Sequence, residues 1–125
     1  VTKFVLKEDS DFISNEYLQF INKTKELIKN YECIQNFTYD PSMYYFLNKK
    51  SCTQFYKIFN MATVSDQNRF IQQIKETDTK LVIVDKNENE FKFSANDRFP
   101  VVKEYITKNF KAFDTIYKYR IMKKK

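Results

Sequence analysis

Lys80-Leu81-Val82-Ile83-Val84-Asp85 holds the purest apolar run in this 125-residue chain. A run this short and β-branched, closed by a lysine on one side and an aspartate on the other, reads as a central strand buried on both faces. Upstream, Ser65-Asp66 opens a helix through about Glu76 that buries Phe70, Ile71 and Ile74. Before it come two β-former-rich stretches, 32–39 (ECIQNFTY) and 54–59 (QFYKIF). Between those two, Asp40-Pro41-Ser42 starts a short helix, MYYFL, which ends at Asn48, a residue that tolerates the left-handed C-cap conformation. A helix is expected at about 12–31, where Tyr17, Leu18, Ile21, Thr24, Leu27, Ile28 and Tyr31 recur at helical spacing and Ser14 or Ser10 supplies the cap.

Downstream of the central strand, residues 86–98 are polar, with Phe91-Lys92-Phe93 as a candidate edge strand. Pro100 starts a last helix with Val101, Val102, Tyr105, Ile106 and Phe110 on one face, and 112–122 alternates as a final strand. Residues 1–11 read as a linker or edge strand, and 118–125 as a basic tail. Strands alternating with helices predict one small soluble α/β domain over 1–125. Its expected form is Rossmann-like, in two or three layers, on a mostly parallel sheet of about four strands.

Composition narrows the chemistry. The chain has no Gly, where average usage of roughly 7% would supply about nine. Phosphate-binding loops, dinucleotide fingerprints and nucleophile elbows all need glycine for tight turns or close backbone approach, and none can be built here. The absence of His removes His-based triads and His-rich metal sites. Neither a metal site nor a cofactor is indicated. Net charge is +6, but residues 1–116 hold 17 basic and 16 acidic groups; Lys118, Arg120, Lys123, Lys124 and Lys125 make up the rest. Lysine outnumbers arginine 19 to 3, which argues against a nucleic-acid reader dependent on bidentate arginine contacts. No secretory signal or 18-residue apolar run is present, and a start at Val1 suggests a piece of something longer.

The candidate reactive groups are few. Asp85 sits at the carboxyl end of the central strand, where open α/β sheets place functional residues; the structural alternative is an acid that turns the chain. Glu88 and Glu90 offer a carboxylate pair, or two solvated side chains in a polar loop. Cys33 and Cys52 begin neighbouring strands of a β-α-β unit, which brings them to one sheet edge either as a bridge or as two reduced, buried thiols. Tyr44, Tyr45, Asn48, Lys49 and Lys50 lie in an aromatic, lysine-bearing stretch suited to stacking on a base or sugar, or simply to core packing.

Residues 33 to about 119 resemble the soluble C-terminal domain of GT-C type polytopic membrane glycosyltransferases, the relatives of protein mannosyltransferases and aminoarabinose transferases. The resemblance is carried by Asp40-Pro41-Ser42-Met43-Tyr44-Tyr45-Phe46-Leu47-Asn48-Lys49-Lys50, by Thr53-Gln54-Phe55-Tyr56, by Lys80 to Val84 after a Gln- and Ile-bearing helix, and by Pro100 to Lys111. Relatives often place Gly after the Tyr-Tyr helix, where this chain has Asn48 or Lys49. The family's catalytic acids lie among transmembrane helices, so no catalytic residue carries over. The resemblance implies an accessory domain on the periplasmic or extracellular side of the cytoplasmic membrane, partnered by the transmembrane part of the same parent. It also implies a compartment that favours the Cys33–Cys52 bridge, and it places Lys123, Lys124 and Lys125 within reach of anionic lipid headgroups. The rival readings are a cytosolic RNA- or protein-binding module using the aromatic stretch and lysine tail, and, third, a small enzyme using Asp85.

Overall fold

The computed structural model describes residues 14–58, 61, 63–86 and 98–125. The linker or edge strand at 1–11, the candidate Phe91-Lys92-Phe93 strand and the Glu88/Glu90 pair lie outside the described residues. In chain order the elements are α1 (Asn15–Ile28), β1 (Cys33–Phe37), α2 (Met43–Leu47), β2 (Lys50–Ser51), α3 (Val64–Glu76), β3 (Leu81–Asp85), α4 (Pro100–Asn109), β4 (Phe110–Ile116) and β5 (Tyr119–Lys124). The sheet order is β2-β1-β3-β5-β4.

β3 is central, as its apolar run demands, and Leu81 through Val84 are all buried. Alternation along β3 splits the core in two. Leu81 and Ile83 join Ile34, Phe20, Ile28 and Met43 under α1 and α2. Val82 and Val84 join Phe37, Phe70, Ile74 and Ile106 under α3 and α4. Helices therefore cover both faces. Ser14 caps α1 by accepting from the Tyr17 N–H at 3.1 Å. Asn48 closes α2 at φ 54, so the Asn48 and Lys49 N–H groups reach the Tyr45 and Tyr44 carbonyls.

The expected mostly parallel sheet of about four strands is not what forms. β1 pairs in parallel with β2 and β3, but the longer pairings, β3 with β5 and β4 with β5, are antiparallel, in a five-stranded mixed sheet. The cause is a hairpin inside the segment read as one strand. The chain reverses between the paired residues Ile116 and Tyr119, with Tyr117 at φ 60. Two-residue hairpin turns ordinarily advertise themselves with Asn or Gly, and a glycine-free chain gives no such signal. Tyr117 offsets its left-handed backbone by placing its ring edge-on to Tyr17 and Tyr119.

The second strand also differs from its reading. It is only Lys50–Ser51, and 54–58 forms no strand although it is rich in β-formers. Side chains satisfy the backbone there instead: Gln54 N–H donates to Gln73 Oε1, Phe55 N–H to Thr53 Oγ1, and the Phe55 carbonyl accepts from Gln35. Finally, 118–125 is not a loose tail. Tyr119–Lys124 is an interior strand, and Lys125 N–H bonds the Asn109 carbonyl.

Candidate functional site

Because β2 is so short, β1 has backbone groups on that side with no strand to pair them. Two side chains take the strand's place. The Tyr44 hydroxyl accepts from the Asn36 N–H at 2.8 Å, and Gln35 Nε2 donates to the Asn36 carbonyl at 3.1 Å. Gln35 is fully buried, and its Oε1 accepts from Thr53 Oγ1 at 2.8 Å and Ser51 Oγ at 3.2 Å. Burial is the main cause holding the Tyr44 hydroxyl above its ordinary value of 10.0. Tyr44, expected as a ligand or interface residue, thus braces β1, and it also lines the concavity shared with Tyr45, Asn48, Lys49 and Lys50.

The carboxyl ends of β1 and β3 lie side by side, and the chain leaves them in opposite directions, toward β2 and toward β4. That is the topological switch point at which open α/β sheets carry their sites. Asp85 ends β3 here, opposite Tyr119. Asp40 lies here too, after β1. Its carboxylate accepts from the Tyr17 hydroxyl at 2.8 Å and from Ser42 Oγ, with the Tyr119 hydroxyl at 3.5 Å. Burial foremost, then Asp40, pushes both tyrosines well above 10.0. Three hydroxyls, from α1, the turn before α2 and β5, thus converge on this one carboxylate. In the sequence Asp40 is legible as a helix start and as part of the Asp-Pro motif, but not as a hub of hydroxyls, since the tyrosines lie 23 and 79 residues away.

These tyrosines predict an alkaline response. Their folded-state proton affinity exceeds that of the unfolded chain, so their contribution is complete below pH 10 and declines as pH rises beyond it. Unfolding followed across about pH 9 to 12 should show stability falling, and Tyr17→Phe should flatten that fall. An equally steep decline in the variant would count against the assignment.

At the opposite end of the sheet, Tyr45, Phe46, Asn48, Lys49 and Lys50 border an open concavity of about 650 Å³, joined by Lys25 from α1. Tyr45 is 60% exposed and lies edge-on to Phe46. Lys49 is occupied: its ammonium donates to the Tyr31 carbonyl at 2.5 Å, beyond the end of α1. No local pattern in the sequence places Lys25 here; only the packing of α1 beside α2 does.

Cys33 and Cys52 form a disulfide, with Cα atoms 5.0 Å apart, tying the start of β1 to the end of β2. The expected membrane-facing lysines stand nearby in the sheet. Lys123 lies 3.7 Å over the Phe113 ring, and Lys124 is paired with Asp78, which also holds Lys80 at 2.5 Å. The two lysines hold the Asp78 carboxyl down at about 2.

No family model, curated protein or solved structure matches the chain. The likeness to glycosyltransferase C-terminal domains therefore rests on the quoted motifs. Among the described residues there is no helix long and apolar enough to cross a membrane, and no group of three side chains that could hold a metal ion.

Proposed function

We propose that the chain is a non-catalytic accessory domain of a membrane glycosyltransferase-like protein. It would lie on the extracytoplasmic side, pack on the membrane-embedded part of the same parent, and help to position acceptor or lipid-linked donor. The observation that carries the reading is the Cys33–Cys52 disulfide, because structural bridges persist in oxidising compartments and are rare in the cytosol of mesophiles. The motif resemblance between residues 33 and 119 supplies the class of parent.

The test is made in the cells that express the parent. A membrane-permeant maleimide is expected to leave Cys33 and Cys52 unlabelled until a reductant is added, and the codons upstream of Val1 are expected to encode several hydrophobic helices. Two freely labelled thiols, or a start codon directly before Val1, would overturn the proposal. Sugar turnover by the isolated chain that vanishes in Asp85→Asn would overturn the non-catalytic part.

A further inference from the structure

The end of the sheet at which β1 and β3 begin carries a row of lysines drawn from separate parts of the chain. Lys50 on β2 stands opposite Cys33, Lys124 N–H bonds the Lys80 carbonyl, and Lys124 stands opposite Phe110 on the edge strand. Helices α3 and α4 end at the same place, so Lys75 and Lys108 meet Lys124 and Lys125 around a cleft of about 210 Å³. Part of this charge is answered locally. Asp78 holds Lys80 and Lys124, Glu104 holds Lys108 at 3.0 Å, and helix C-termini carry partial negative charge. Lys50, Lys75, Lys123 and Lys125 form no ion pair with any described residue; Lys75 lies 5.5 Å over the Tyr105 ring and Lys123 over Phe113. At the far end of the sheet stand Asp40 and Asp85, there interspersed with Lys86, Lys118 and Arg120.

We propose that this lysine edge is the surface by which the domain lies on an anionic lipid bilayer. The charges are compact ammonium groups on flexible stems, suited to headgroup phosphates without a fixed register. Lys75 sits on Tyr105, a ring type that settles at the membrane–water interface, and Lys123 on the exposed Phe113. Nucleic acid fits less well. Arg120 pairs with Val84 toward the other end of the sheet, Arg98 precedes α4 at its opposite terminus, and Arg69 lies within α3 before its last turn, so the edge offers no bidentate fork. The disulfide also belongs to compartments away from nucleic acid. This placement rests on the extracytoplasmic reading for its setting, but its test does not depend on it.

The test is sedimentation of the 125-residue chain with vesicles of equal parts phosphatidylglycerol and phosphatidylcholine. Binding is expected at about 0.02 M salt, with release near about 0.5 M, where the Debye length has shrunk to a few ångströms. Pure phosphatidylcholine should not bind. Each lysine close to such a surface is worth about fivefold, so neutralising Lys50, Lys75, Lys123 and Lys125 to Gln should weaken binding by about 100-fold or more. Changing Lys23, Lys57, Lys86 and Lys118 to Gln alters net charge equally but leaves this edge intact, and should cost far less. Both variants spare Lys80 and Lys124, and a melting temperature matching the parent's confirms the fold. Equal losses in the two variants, no binding to anionic vesicles at low salt, or tighter binding to single-stranded RNA that the edge variant abolishes would each overturn the proposal. The thiol labelling described above can fail or succeed independently of these outcomes.

Discussion

Replacing Gln35 with leucine is expected to destabilise the protein by about 4 kcal/mol, because several buried groups lose a partner at once and each costs about 1–3 kcal/mol when left unmade. Gln35 is fully buried and links β1 to the irregular segment after β2 through both ends of its amide. Its Nε2 serves the Asn36 and Phe55 carbonyls and lies 3.3 Å from the Tyr44 hydroxyl, while its Oε1 takes Ser51 and Thr53. Leucine fills most of the volume but leaves those oxygens facing an apolar side chain. Tyr44→Phe should cost less, about 1–2 kcal/mol, since it mainly strands the Asn36 N–H. The double variant should cost less than the two together, as expected for groups in one network. Urea unfolding of the three variants measures all of this. A Gln35→Leu protein within 1 kcal/mol of the parent, to the precision of such extrapolations, would show that the network is not what holds this edge.

Reduction of Cys33–Cys52 is expected to lower the melting temperature by about 10 °C. The bridge spans 19 residues of sequence, a loop whose closure contributes about 3 kcal/mol in the chain-entropy account. For a chain of this length that converts to roughly the stated shift. The structure adds a local reason. β2 has two residues, and past the Cys52 N–H bond to the Ile34 carbonyl it has no further strand pairing with β1. Without the bridge, the edge that carries Lys50 is held by its short pairing with β1 and by side-chain hydrogen bonds. The double variant Cys33→Ser/Cys52→Ser should melt where the reduced protein does. An unchanged melting temperature on reduction, or two titratable thiols in air-oxidised protein, would refute this account.

Elements with a local signal are legible in the residue pattern alone. Leu81–Val84 could only be a strand buried on both sides, α1 declares its inner face through Ile21, Thr24 and Ile28, and Asn48 marks where α2 must stop. That pattern also brought the two cysteines to one edge of a β-α-β unit, without deciding whether they join. The remaining features depend on long-range packing. Tyr117 turns the chain although nothing about a tyrosine announces a turn, and the resulting hairpin inserts β5 beside β3 and makes the larger part of the sheet antiparallel. The stretch 54–58 has the composition of a strand, yet its backbone found partners in the side chains of Gln35, Thr53 and Gln73, which compete with a ladder on equal terms. The meeting of Tyr17, Asp40 and Tyr119, and of Lys75 and Lys108 with Lys124 and Lys125, joins residues far apart in the chain. Such contacts are set by which faces the helices bury and where each one ends, and these follow from packing against a sheet whose strand order no local pattern records.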